Sequence, residues 1–151
     1  MDIIITNMIA SDVPKVAELE KQCFSMPWSE QAFYDELENK LAVYFTAKMH
    51  NECVGYAGFW NVSGEGGITN VAVRSDFRRH GIGSMLIEAM IKAAYEMRLD
   101  ILTLEVRKSN MAARCLYEKY GFVPIGFRKR YYSEPEEDAL IMTKIINEDN
   151  R

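Results

Sequence analysis

Cysteine and histidine are scarce in this chain, and their positions exclude the chemistry they usually build. Cys23, Cys53 and Cys115 stand apart without a Cys-x-x-Cys pair, and His50 and His80 are far from one another. Such spacing gives neither a disulfide frame nor a zinc site; the thiols read as reduced cysteines of a cytoplasmic protein, and no metal is called for. No apolar run approaches the ~20 residues of a membrane helix, and Met1-Asp2-Ile3 has no basic region leading into an apolar core, so neither secretion nor membrane anchoring is expected. Basic excess is missing as well: the formal net charge of −4 argues against a nucleic-acid binder. Repeats, low-complexity segments and internal linkers are also absent. What is present, 48% hydrophobic and 26% charged residues, suits one domain over residues 1–151 with a real core.

The patterning is that of an α/β chain. Ile3 to Ile5 reads as a short strand, and Ser11 or Asp12, with Pro14 in the first turn, opens a helix whose Val16, Leu19 and Cys23 share a face. Ser29 caps a second helix that turns Phe33 and Leu37 inward. Leu41 to Lys48 and Cys53 to Trp60 form a hairpin with Asn51 near its turn. Gly64-Glu65-Gly66-Gly67 reads as a loop ahead of a strand from Ile68 to Val73. Gly83 to Arg98 carries Leu86, Met90 and Met97 at helical spacing; Ile101 to Val106 is a strand, and Asn110 to Tyr120 a helix stopped by Gly121. Two strands flanking Ser133 to Glu137 close a mixed sheet flanked by helices.

The segment Arg78-Arg79-His80-Gly81-Ile82-Gly83 lies between a strand and a helix. Two glycines allow the backbone to curl and bring amide N–H groups to an anion, and the helix adds its positive N-terminal end. Arg78, Arg79 and His80 supply charge, and Ser84 a hydroxyl, so the loop reads as a pyrophosphate cradle. The competing reading is a glycine turn capping a surface helix, with solvated arginines. The third glycine of a dinucleotide fingerprint is missing, and no Gly-Lys-Ser or Gly-Lys-Thr is present.

What remains, Arg-x-x-Gly-x-Gly, resembles the acetyl-coenzyme A loop of the GNAT acetyltransferases. Leu104-Glu105-Val106-Arg107, Ser109-Asn110, Leu116-Tyr117-Glu118-Lys119-Tyr120-Gly121-Phe122, Arg128-Lys129-Arg130-Tyr131-Tyr132 and Glu137-Asp138-Ala139-Leu140-Ile141-Met142 then follow in order, with Pro27-Trp28-Ser29 near the start. Together they resemble the ribosomal-protein-alanine N-acetyltransferases of the RimI type over nearly the whole chain. That resemblance implies a twisted mixed sheet, mostly antiparallel, of about seven strands with about four helices and a splayed central strand pair. It implies acetyl-coenzyme A as co-substrate, held by the main chain of Val71, Ala72 and Val73 and by Arg78, Arg79, His80, Gly81, Ile82, Gly83 and Ser84. It also implies Glu105 as proton acceptor, directly or through a water, Tyr117 as proton donor to the leaving thiolate, and Tyr131 beside the acceptor. The acceptor implied is the N-terminal alanine of a basic small-subunit ribosomal protein.

The residues carry readings of their own. A parallel strand covered on both faces is expected to be apolar, and Ile101-Leu102-Thr103-Leu104 keeps to that until Glu105 appears at the carboxyl end, where ligand crevices lie. Pairing with Arg107 or another arginine is the structural alternative. Tyr117 shares a helix face with Ala113, Leu116 and Tyr120, which makes packing its default role. Asn110 is placed either to cap its helix or to contact the pantetheine arm. Cys115, with no histidine neighbour, reads as a buried structural thiol and not a nucleophile. Glu134, Glu136, Glu137 and Asp138 read first as a solvated hairpin turn and second as an attraction for a basic tail. Two other functions share the cofactor machinery: acetylation of a small amine or lysine side chain, and a non-catalytic acyl-coenzyme A sensor, which would need neither Glu105 nor Tyr117. The glycine-rich stretch at 64–67 departs from the resembling family on the acceptor side and implies a broader acceptor range.

Overall fold

The computed structural model describes residues 2–147. In chain order it contains β1 (Ile3–Asn7), α1 (Val13–Cys23), α2 (Glu30–Glu38), β2 (Ala42–Met49), β3 (Glu52–Val62), β4 (Glu65–Val73), α3 (Ile82–Glu96), β5 (Ile101–Arg107), α4 (Met111–Lys119), β6 (Val123–Tyr132) and β7 (Glu137–Ile145). The strands form one mixed sheet in the order β1-β2-β3-β4-β5-β7-β6, antiparallel at every pairing except β4 with β5. This is the α/β arrangement the sequence implied.

Local chemistry sets the elements. Ser29 Oγ accepts from the Ala32 amide at 3.1 Å and starts α2, as Asn110 Oδ1 does from Ala113 for α4 at 3.2 Å. His50 and Asn51, both at positive φ, make the tight turn between β2 and β3. Two apolar layers cover the sheet. Ile82, Leu86, Ile87, Met90 and Ala94 of α3 pack one face together with Leu102, Leu104 and Val106 of β5, while Val13, Val16, Ala17 and Leu19 of α1 and Phe33 of α2 pack the other against Tyr44, Tyr56 and Ala72.

The parallel pairing of β4 with β5 lasts only from Glu65–Gly67 against Ile101–Thr103. Beyond it β4 stays with β3 as far as Val73, and β5 stays with β7 as far as Arg107, so the two central strands part and leave a wedge. The expected loop at 64–67 is corrected by this pairing: only Gly64, at φ +87°, belongs to the turn, and residues 65–67 are the strand that holds β5. A Cβ at Gly66 would stand 2.5 Å from a Leu102 methyl carbon and 3.0 Å from one of Leu99. Glycine there serves close packing and not a turn.

The expectation for β5 changes too. Leu102, Leu104 and Val106 are buried on one face, whereas Ile101, Thr103, Glu105 and Arg107 alternate onto the other, which is open to the wedge. Glu105 therefore follows the period of a half-covered strand. Cys115, expected to be buried, is exposed, because Ala113, Leu116, Tyr117 and Tyr120 occupy the inward face of α4; the buried thiol is Cys53.

Candidate active site

A cleft of about 980 Å³ fills the wedge. One side is β4 from Ile68 to Val71, another β5 from Thr103 to Arg107; the end of α1 with the segment after it (residues 23–26 and Trp28) and the end of β6 with the turn into β7 (residues 131–135) form the walls. The two walls touch where the Ser133 hydroxyl meets Met26 Sδ at 3.4 Å.

Glu105, Tyr117, Asn110, Val71 and Tyr131 all line this cleft. Glu105 Oε1 pairs with Arg128 Nε at 3.1 Å, not with Arg107. The Arg128 side chain is 56% exposed, so water screens that pair and the arginine is free to yield. Tyr117 is buried with its ring edge-on to Phe122 at 5.8 Å. Burial, and then the neighbouring Tyr132, push its phenol well above the usual value. Tyr132 is itself pushed up to about 12, by burial first and then by Tyr131 and Glu105.

The main chain of β4 also faces the wedge in part. The Arg74 amide donates to Val54 O at 2.8 Å on the β3 side, so by the alternation of an extended chain Ala72 turns its own amide and carbonyl toward β3. Val71 and Val73 turn theirs into the gap. Val73 O accepts there from Arg78 Nε at 3.3 Å and from Cys23 Sγ at 3.6 Å.

At the open end of the wedge the chain reaches α3 through Arg79 and Gly81, both in the left-handed region at φ +64° and +78°. A Cβ on Gly81 would touch nothing within 4 Å among the described residues, so conformation alone asks for glycine there. Gly83 is different, since a Cβ would come within 3.2 Å of Leu116 Cδ2. Among the described residues no side chain caps α3, and the first amides of a helix have no acceptor within it, so those of Ile82, Gly83 and Ser84 face outward beside the exposed Arg78, Arg79 and His80. Free amides, a glycine curl and three basic side chains fit a pyrophosphate.

Most of the acidic run holds the hairpin. Glu137 accepts from the Ser109 amide and from Arg107, Asp138 from the Arg130 amide, and Glu136 pairs with Arg130. Arg107 ties the turn further by donating to Pro135 O and Ser133 O, with Tyr132 beneath its guanidinium. Glu134 alone of the four lines the cleft.

The sequence reading missed Glu20, Tyr56 and Asn70. One signal was available: Glu20 lies four residues after Val16, so it is a carboxylate on the apolar face of α1.

Comparison with known proteins agrees with this geometry. The model of the acetyltransferase (GNAT) family matches residues 13–122. The ribosomal protein bS18-alanine N-acetyltransferase of Salmonella typhimurium is 36% identical over 146 residues, covering 95% of this chain and 97% of that protein. A Bacillus subtilis protein whose name assigns it the same reaction provisionally is 39% identical over 145 residues, with 95% and 96% covered. The crystal structure of the ribosomal-protein-S18-alanine N-acetyltransferase from Escherichia coli superposes with a TM-score of 0.89 at 31% identity, covering 97% of this chain and 95% of that one.

Proposed function

The chain belongs to the acetyltransferase (GNAT) family, and on that premise we propose that it acetylates the N-terminal α-amine of a protein, an N-terminal alanine of ribosomal protein bS18 being the acceptor its relatives point to. The observation that carries this reading is that one cleft, opened by the splay of β4 and β5, is lined by Glu105 and Tyr117 together. The reaction is placed in the cytoplasm, with a basic ribosomal protein as partner.

Acetyl-coenzyme A, when bound, supplies the activated acetyl group. The outward amides of Ile82, Gly83 and Ser84, with Arg78, Arg79 and His80, hold its pyrophosphate. Arg78 exchanges its bond to Val73 O for the phosphate oxygens, which leaves that carbonyl with the weak Cys23 thiol donor and room to accept from the pantetheine arm. Val71 and Val73 turn main-chain groups into the gap and bond that arm, and the Val71 amide is placed to polarise the acetyl carbonyl. Asn110 lines the same gap while capping α4, and contacts the arm with its remaining amide group.

Glu105 takes a proton from the incoming ammonium, directly or through a water, so that the amine has a lone pair with which to attack. Arg128 pairs with the carboxylate and, being exposed, swings aside as the ammonium arrives. Tyr117 remains protonated across the whole working pH range because burial raises it, and gives its proton to the departing sulfur. Tyr131, exposed on the hairpin wall, meets the acceptor chain. Where Met26 and Ser133 touch, the entrance narrows, which suits an extended terminus.

The test is acetyl transfer to three acceptors: an alanine-led basic ribosomal peptide, its N-blocked twin with lysines intact, and spermidine. Transfer to the free N-terminus alone is expected; transfer to the blocked peptide or to spermidine would overturn the N-terminal reading and leave the family assignment standing.

A further inference from the structure

The polar side chains beneath α1 form a line of hydrogen bonds with one direction. Glu20 is 2% exposed, and no lysine or arginine pairs with it among the described residues. Both of its oxygens are engaged: the Trp28 amide donates to Oε2 at 3.0 Å, and the Tyr56 hydroxyl donates to Oε1. The single proton of Tyr56 is thereby committed to Glu20, and its oxygen has only lone pairs to offer. Asn70 meets that oxygen with Nδ2 at 2.9 Å. An amide whose nitrogen is fixed on one side presents its carbonyl oxygen on the other. Asn70 Oδ1 makes no hydrogen bond among the described residues, and Asn70 lines the cleft.

The backbone is shaped to put Asn70 there. In the pairing of β3 with β4, Gly58 stands opposite Asn70 and Phe59 opposite Ile68, so Thr69 is an extra residue and the strand bulges. Consecutive side chains then reach the same face, Thr69 to the Tyr44 hydroxyl at 3.2 Å and Asn70 to that of Tyr56. An unbroken strand would send one of them to the α3 layer.

We propose that Asn70 is a substrate-positioning residue whose Oδ1 receives an N–H of the acceptor amine, and that Glu20 and Tyr56 are positioning residues that fix its amide orientation. The inference rests on the reading of the cleft as an amine-acceptor site. Once Glu105 has removed one proton, a primary amine has two N–H groups and a lone pair free to turn. Holding one N–H on Asn70 fixes the direction of that lone pair. Along this polar line the two Glu20 oxygens and the Tyr56 hydroxyl each accept one hydrogen bond already, and Asn70 Oδ1 is the oxygen that accepts none among the described residues.

The test is steady-state kinetics with both substrates varied, on whichever acceptor the wild type turns over in the three-acceptor panel. Asn70→Ala is expected to lower kcat/KM for the acceptor tenfold or more while the KM for acetyl-coenzyme A stays within about twofold. Glu20→Gln cannot accept from both Trp28 and Tyr56, and its amide group reverses the line, so the same acceptor-specific loss is expected. Tyr56→Phe, which conserves the buried ring, releases Asn70; adding Asn70→Ala to it is expected to cost nothing further. Unchanged acceptor kinetics in Asn70→Ala would overturn the proposal, as would losses for Tyr56→Phe and Asn70→Ala that simply multiply. A fold defect would move the acetyl-coenzyme A KM as well, which separates it from lost orientation. If spermidine proves to be the acceptor, the N-terminal reading fails while the Asn70 comparison is read on spermidine.

Discussion

Tyr117→Phe isolates one proton. The ring is buried against Phe122 at 5.8 Å, and phenylalanine preserves that contact. The hydroxyl makes no hydrogen bond among the described residues, so its removal leaves no orphaned partner and is expected to change stability by no more than about 0.5 kcal/mol. Catalysis is affected differently. A positioned general acid contributes roughly 10²–10⁴-fold, and at 1.36 kcal/mol per decade its loss raises the barrier by about 2.7–5.4 kcal/mol. The assay is release of free thiol from acetyl-coenzyme A with the wild type and Tyr117→Phe at matched melting temperature. Because burial raises the phenol, the wild-type profile is expected to show no alkaline fall from Tyr117 below its ordinary value of 10. A folded Tyr117→Phe variant retaining more than about a third of wild-type kcat would refute donation by Tyr117, given the 10²-fold minimum expected of a general acid.

Two stability predictions follow from other contacts. A Cβ at Gly58 would lie 2.1 Å from the Tyr44 ring, which is held by Glu36 and Thr69, so Gly58→Ala is expected to cost about 1–3 kcal/mol, read as a melting point lower by about 2–4 °C per kcal/mol. Burial raises Glu20 above its ordinary 4.5, so in the window between those two values the folded chain keeps a proton that the unfolded chain has lost. Stability therefore falls as pH rises through that window, and the melting point of the wild type is expected to drop relative to Glu20→Gln over it; a flat or rising difference would contradict the burial argument.

What the sequence made legible was local. The strand, basic loop and helix around Gly81 lie within a few residues of one another, and so do the caps at Ser29 and Asn110, whose side chains reach amides only three positions on. Glu105 was conspicuous because a charge interrupted an apolar run, although the run turned out to alternate. Gly66 misled because glycine signals a turn locally, whereas here the demand comes from Leu102, on a strand reached only after α3. Cys115 was misplaced because proximity in sequence to Tyr117 says nothing about which side of α4 it occupies. The line from Glu20 to Tyr56 to Asn70 spans three elements, and its first bond joins residues 36 positions apart. Such pairing depends on how α1 settles on the sheet, and the bulge at Thr69 leaves no mark in residue type.

Proton removal by Glu105 is tested most directly by the pH dependence of kcat/KM for an alanine-led peptide in the wild type and Glu105→Gln. An N-terminal amine with a pKa of about 8 is mostly protonated at pH 7 and mostly free at pH 9.5. The expected result is a loss of about 10²-fold or more at pH 7 that narrows steadily toward pH 9.5, where bulk water has already done the work of the carboxylate. Equal rates at pH 7, or a deficit that stays constant across the whole range, would contradict Glu105 as the acceptor of the amine proton.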